Sequence, residues 1–207
     1  MWYSFLQFWA RIIFPIVFRI RVFGRENVPA AGGVILASNH QSFMDPPFVG
    51  VGLNRQVHYM ARKSLFHRNA LFTGLIRSLN AFPVERDRGD VGAVRETFRR
   101  LKDGAAVLVF PEGTRTRDGG IGQLKPGVFA IAVKTGAPVV PTVIDGAYEA
   151  WPRTRLFPRP RRVRVLFGEP LFARHFGDDP TSMAEACRGA LVALQDRLRG
   201  RSKGAGT

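Results

Sequence analysis

Apolar residues along this chain come mostly in short runs, and segments of mixed polarity long enough for helices separate many of them. Ile20 to Phe23, Val34 to Ser38, Val57 to Ala61, Ala81 to Val84, Ala105 to Phe110, Val139 to Ile144 and Val163 to Phe167 read as strands, by β-branched and aromatic content or by unbroken apolar character. Pro141 inside the sixth run implies an edge or bulged strand. Helices fit between them at Pro47 to Leu53, Leu65 to Leu79, Val91 to Lys102 behind Asp90 as a cap, and Gly127 to Thr135. Ser182 and Glu185 have the spacing of a capping box for a last helix through Leu198. Such alternation predicts an α/β fold, a sheet of about seven strands covered by helices on its faces.

The first stretch, MWYSFLQFWARIIFPIVFRIRVFG, follows a different pattern. Arg11 and Arg19 interrupt it before the ~20 apolar residues that a membrane-crossing helix needs. Ser4, Gln7 and Arg11 recur at helical spacing and leave Trp2, Phe5, Phe8, Trp9, Ile12 and Ile13 around the rest, and Pro15 is expected to kink or split the helix. This is the pattern of an interfacial anchor lying in the headgroup region, with a helix packed on the protein's own core as the alternative. The expected organisation is a membrane-associating segment over residues 1–21, one domain over 22–199 and a disordered tail over 200–207.

Charge narrows the partners. The net charge is +15, from 31 Lys+Arg against 16 Asp+Glu, which implies attraction to nucleic acid, an anionic membrane or a phosphorylated substrate. Arg153, Arg155, Arg159, Arg161, Arg162, Arg164 and Arg174 face only Glu169 within one stretch, although such runs also serve as solvated, solubilising faces. The single cysteine, Cys187, forms no internal bridge, and no stretch has signal-peptide order, which points to a reducing, cytosolic compartment.

Candidate chemistry sits where strands end, because in open α/β sheets ligands gather outside the carboxyl ends of the strands. In NHQSFMD, His40 stands at the exit of the Val34 strand and Asp45 precedes Pro46 and Pro47. Asp45 is placed either to cap a helix or to fold back on the His40 ring, fix its tautomer and leave the other nitrogen free to take a proton from a hydroxyl. FPEGTRTRDG, after another buried strand, combines Gly113, which lets backbone approach a ligand, with arginines suited to phosphate oxygens. LNAFPVERD ends a third strand in Arg86, and VVPTVIDG is a fourth segment of interest.

Taken in order, NHxxxxD, a strand ending in Arg, FPEGTR, and VP with aliphatic residues resemble the four motifs of the PlsC-type glycerolipid acyltransferases, the 1-acyl-glycerol-3-phosphate acyltransferases, over Asn39 to about Ile144. The resemblance implies an α/β domain with a mixed, mostly parallel sheet, associated with membrane through an N-terminal amphipathic helical segment. It implies that His40 is the general base, oriented by Asp45. It further implies that Arg86, Glu112, Gly113, Thr114 and Arg115 hold the acceptor's phosphate, that Lys125 in QLKPG assists binding, and that Pro141 and its neighbours line the substrate channel. Asn80 stands where the second motif usually opens with Gly, and Asn also tolerates a left-handed backbone.

The implied reaction moves a fatty acyl group directly from an acyl thioester, on coenzyme A or acyl carrier protein, to the free hydroxyl of lysophosphatidic acid or a related lyso-lipid. No covalent acyl-enzyme is required, since nothing resembles a G-x-S-x-G elbow, and no metal or nucleotide cofactor is expected, since no zinc-ligand spacing, Walker A loop or dinucleotide G-x-G-x-x-G occurs. The expected place of action is the cytoplasmic face of the cell membrane, peripheral or monotopic, on an anionic surface and without nucleic acid. Alternatives are the same chemistry on a lysophospholipid or lyso-aminolipid, or a non-catalytic basic protein whose nucleic-acid affinity would fall steeply with salt.

Overall fold

The computed structural model describes residues 2–67, 69–85 and 90–203, without the side chains of 201–203. The seven expected strands are present: β1 (Arg21–Phe23), β2 (Val34–Ser38), β3 (Val57–Arg62), β4 (Ala81–Val84), β5 (Ala106–Val109), β6 (Val139–Asp145) and β7 (Arg164–Phe167). They form one sheet in the order β1-β7-β6-β2-β5-β3-β4. Every neighbouring pair is parallel except β6 with β7. Strands β2, β5 and β6 are buried along their whole length, as parallel strands covered on both faces must be.

Period-two alternation sorts their side chains between two cores. Ile35, Ala37, Val107 and Val109 join Phe129, Met183 and Leu191 on one face, while Val34, Leu36, Ala106 and Leu108 join Phe48, Ile144 and Phe167 on the other. Each fully buried leucine, valine or phenylalanine contributes roughly 1.5–3 kcal/mol.

The helices are α1 (Trp2–Phe18), α2 (Asp45–Gly52), α3 (Ala70–Ser78), α4 (Val91–Lys102), α5 (Gly127–Thr135), α6 (Ala147–Ala150) and α7 (Pro180–Lys203). Several differ from expectation for local reasons. Helix α1 runs unbroken through Pro15, which stands in its last turn. The stretch expected as one helix from Leu65 to Leu79 divides into a 3₁₀ turn over Lys63–His67 and α3, because the Asn69 side chain accepts the N–H of Leu71 at 2.8 Å and starts a new helix. Asp179, rather than Ser182, caps α7: its carboxylate accepts the N–H of Ser182 at 2.8 Å, and Pro180 fills the first helical position. Helix α7 continues past Gly200 to Lys203, and residues 204–207 lie outside the described residues.

Pro141 is in an interior strand, not an edge. The carbonyl of Pro141 accepts the N–H of Gly168 at 2.8 Å, so its ring nitrogen faces the β7 side just past the last β6–β7 pair, Thr142 with Phe167. The next bridge, Val139 with Leu171, takes one residue more on the β7 side, a bulge that accommodates the missing donor. Asn80 adopts the expected left-handed turn, with φ 63°.

Candidate active site

The carboxyl ends of β5, β2 and β6 lie side by side at one end of the sheet, and β2 delivers His40 between its neighbours. Asn39 fixes that exit. Its side-chain amide donates to the carbonyl of Ile144 at 2.9 Å and accepts the N–H of Ile144 at 2.8 Å, which adds one rung to the ladder with β6 after β2 itself has ended.

His40 and Asp45 are both buried, and Nδ1 of His40 lies 2.8 Å from Oδ2 of Asp45. The same oxygen accepts the N–H of Gln41 at 2.6 Å and of Ser42 at 2.7 Å, so three donors fix the carboxylate. A carboxylate accepts only, so Nδ1 carries the proton, and in the neutral ring the lone pair is then on Nε2. Asp45 is the first residue of α2 and makes no helix-capping bond. Its other oxygen, Oδ1, is buried with no hydrogen bond among the described residues. The His40 ring stacks on Phe110, with centroids 3.9 Å apart.

The loop after β5 clamps this histidine's backbone. Oε1 of Glu112 accepts the His40 N–H at 2.9 Å, and the His40 carbonyl accepts the N–H of Thr116 at 2.8 Å. Oε2 of Glu112 accepts the N–H of Gly122 at 3.0 Å. Burial raises the Glu112 carboxyl above its ordinary value, opposed by those two amides. Both oxygens are thus engaged with backbone, and Glu112 positions the loop.

Gly113 has φ +75°, and Cε and Nζ of Lys125 lie 3.3 Å from where a Cβ would stand. The lysine's own N–H donates to the carbonyl of Pro111 at 2.9 Å, holding the QLKPG segment against the loop. Thr114 is exposed and Arg115 half-buried. Among the described residues the guanidinium of Arg115 and the ammonium of Lys125 have no ion-pair partner. Two cations and a hydroxyl therefore flank a glycine close to His40, an arrangement suited to phosphate oxygens. Arg86 lies outside the described residues, beyond the end of β4. Pro141 is buried within β6, one strand from His40.

Other residues hold the site together without a signal in the sequence. The carbonyl of Gly119 accepts from Gln41 at 3.2 Å, Gln195 at 3.2 Å and Arg199 at 3.3 Å, tying both loops to α7. Tyr148 donates its N–H to Gln41 at 3.1 Å and its hydroxyl to the carbonyl of Arg117 at 2.7 Å. Short-range patterning shows the strand exits; these links join segments distant in the chain.

An apolar groove of about 380 Å³ starts at Phe43 and Met44, in the same loop as His40, and runs between α1 (Leu6, Phe14) and α3 (Phe72, Ile76). Its length of apolar wall suits an acyl chain. A larger cavity of about 770 Å³ lies by Phe23, Asn27, Gly168 and Arg197. It sits where β1 and β7 end, and since β7 runs against β6, that is the opposite end of the sheet from His40.

The sequence profile of the acyltransferase family, described as "Acyltransferase", matches residues 19–145. The chain belongs to that family. It is an acyltransferase. It shares 31% identity over 202 residues with the 1-acyl-sn-glycerol-3-phosphate acyltransferase of Bacillus subtilis (strain 168), which covers 95% of this chain and 98% of that protein. With 1-acyl-sn-glycerol-3-phosphate acyltransferase LPAT1, chloroplastic, of Arabidopsis thaliana it is 32% identical over 169 residues, 80% of this chain and 47% of that protein, so it spans about half that relative's length. The crystal structure of the 1-acyl-sn-glycerophosphate (LPA) acyltransferase PlsC from Thermotoga maritima superposes with a TM-score of 0.77 at 30% identity, covering 93% of this chain and 79% of that one.

Proposed function

We propose that this enzyme acylates the free hydroxyl of 1-acyl-sn-glycerol-3-phosphate, taking a fatty acyl group from a thioester of coenzyme A or acyl carrier protein and giving phosphatidic acid. The observation that carries the reading is the buried His40–Asp45 pair, whose free Nε2 stands in the loop that also opens the apolar groove. Arg115 and Lys125 beside Gly113, which have no ion-pair partner among the described residues, support a phosphate on the acceptor. The names of the relatives support the same acceptor.

In this mechanism Nε2 of His40 takes the hydroxyl proton as the acceptor oxygen attacks the thioester carbonyl, and Asp45 stabilises the resulting imidazolium. The tetrahedral adduct collapses, the carbon–sulfur bond breaks, and the departing thiolate takes the proton back from His40. An ester and a thiol result, and no acyl-enzyme forms. Cys187 is a poor nucleophile: it is buried, and burial pushes its thiol up to about 12.

The enzyme acts at a membrane surface on the cytoplasmic side. No helix among the described residues is long and apolar enough to cross a membrane. Helix α1 instead packs on the protein through Tyr3 and Phe18, with two of its polar residues reaching α2 while Ser4 stays exposed: Gln7 donates to the carbonyls of Gly50 and Leu53, and Arg11 to those of Val51 and Leu53, which satisfies the open end of α2. Trp2, Phe5, Phe8, Trp9, Ile12, Ile13 and Ile16 are left facing outward, which supports an interfacial helix.

An acceptor panel tests the reading. Lysophosphatidic acid, lysophospholipids with larger head groups and lyso-aminolipids are offered with a radiolabelled acyl thioester. Selective labelling of lysophosphatidic acid is expected, and selective labelling of another lyso-lipid would replace the acceptor while keeping the chemistry.

A further inference from the structure

The segment between α6 and β7 takes no part in the chemistry described above. From Arg153 to Arg162 every residue is exposed, and Arg153, Arg155, Arg159, Arg161 and Arg162 make no ion pair among the described residues. Leu156 and Phe157, at its centre, are 79% and 74% exposed. A merely solubilising run has no use for two bare apolar side chains between its cations.

The segment nonetheless has a fixed form. The N–H of Arg159 donates to the carbonyl of Ala150 at 2.8 Å and closes its base, while Nε1 of Trp151 donates to the carbonyl of Arg155 at 3.0 Å and turns the chain inside it. Below, Gly146 at φ +88° passes the return strand so closely that a Cβ would stand 2.1 Å from the carbonyl oxygen of Arg162. The base also abuts the His40 loop. The Ser42 hydroxyl donates to the carbonyl of Trp151 at 2.9 Å, and the Trp151 ring meets Phe43 edge-on at 5.9 Å. Phe43 lines the mouth of the apolar groove, whose opposite wall is α1 with its outward apolar face.

We propose that residues 151–162 form a second membrane-docking element, specific for anionic bilayers, with the five arginines on lipid phosphates and Leu156 and Phe157 inserted among the acyl chains. The inference rests on the acceptor being lipid-borne, since its consequence is to bring the groove mouth to the bilayer beside the α1 contact. An acidic carrier protein would match the charge, but the Leu156–Phe157 pair set between arginines at the tip matches a lipid interface better. Each arginine near an anionic surface contributes roughly fivefold in affinity.

The test uses the full chain with Arg153, Arg155, Arg159, Arg161 and Arg162 all changed to Gln, and separately Leu156→Ser with Phe157→Ser. All seven side chains are exposed, so thermal melts should match wild type. Sedimentation with phosphatidylcholine vesicles, with and without phosphatidylglycerol, is read in the absence of substrate. The glutamine variant should lose tenfold or more of its affinity for the phosphatidylglycerol vesicles and little for the neutral ones, and the serine variant should weaken on both. Turnover in detergent micelles should stay at the wild-type level in each variant. Unchanged binding to phosphatidylglycerol vesicles overturns the proposal, as does unchanged vesicle binding with a loss of turnover confined to acyl carrier protein as donor, which would make the loop a carrier dock. Because binding is read without substrate, it decides the loop even if the acceptor panel fails to label lysophosphatidic acid.

Discussion

One oxygen of the Glu112 carboxylate holds the backbone N–H of His40 at 2.9 Å and the other holds that of Gly122 at 3.0 Å. The negative charge in the FPEGTR loop thus fastens the histidine's strand exit to the loop, while Arg115 and Lys125, without ion-pair partners among the described residues, stay available to an anion. In Glu112→Gln one oxygen becomes an NH₂ that faces an N–H, and a buried donor left unmatched costs about 1–3 kcal/mol. The expected result is a kcat lowered about tenfold or more with the acceptor KM nearly unchanged. A raised KM at constant kcat would make Glu112 a substrate ligand instead.

Arg115 has the opposite signature. Arg115→Lys keeps the charge but loses the planar fork, so the acceptor KM should rise while the thioester KM holds, and Arg115→Ala should raise it further, roughly tenfold or more. Steady-state kinetics with each substrate varied separately checks this. A thioester KM that rises alone would assign the arginine to the donor.

The outward face of α1 predicts a change in membrane binding with little change in fold. Phe8→Ser, Ile12→Ser and Ile16→Ser together remove exposed side chains, so the melting temperature should hold while binding to neutral and anionic vesicles alike falls more than tenfold. Arg11→Ala should lower the melting temperature instead, because the carbonyl of Val51 loses its side-chain donor and that of Leu53 keeps only Gln7. Vesicle sedimentation and thermal melts separate the two effects.

His58 sets a stability window. Burial first, and then the Arg100 guanidinium 2.6 Å from its Nδ1, push it down from 6.5 to about 4. The unfolded chain therefore takes up its proton first as pH falls, so this contribution is complete above about 6.5 and is lost between there and about 4. Melting temperature should drop across that window, and His58→Leu should flatten the drop. An unchanged slope in the variant would place the pH dependence elsewhere.

Much of this was legible in the sequence because strands β2, β5 and β6 are short apolar runs with turn residues at their ends, and His40 and the FPEGTR loop follow them directly. Helix α6 left no signal, since the four residues Ala147–Ala150 are too few for a helical period. The Ser182–Glu185 spacing is outweighed by Asp179 followed by Pro180, the stronger start signal, and Asn69 starts α3 inside a stretch whose apolar pattern is continuous. In α1 the polar residues Gln7 and Arg11 were visible, but that they face α2, leaving the apolar side outward, depends on a partner forty residues away. The roles of Asn39, Gln41 and Glu112 depend likewise on tertiary contacts that no local pattern encodes.

The most direct measurement is kcat for thioester turnover in His40→Ala, Asp45→Asn and the double variant, each alongside a thermal melt. His40→Ala should fold normally and lose roughly 10²–10⁴-fold or more, the usual contribution of a general base. In Asp45→Asn the new amide can keep its oxygen on the N–H groups of Gln41, Ser42 and His40, with its NH₂ in the unpartnered place of Oδ1, so this variant should spare the fold more than the rate. The double variant should be little slower than His40→Ala alone, because Asp45 acts through His40. Losses that multiply would reduce Asp45 to a backbone anchor, and a folded, fully active His40→Ala enzyme would contradict the mechanism outright.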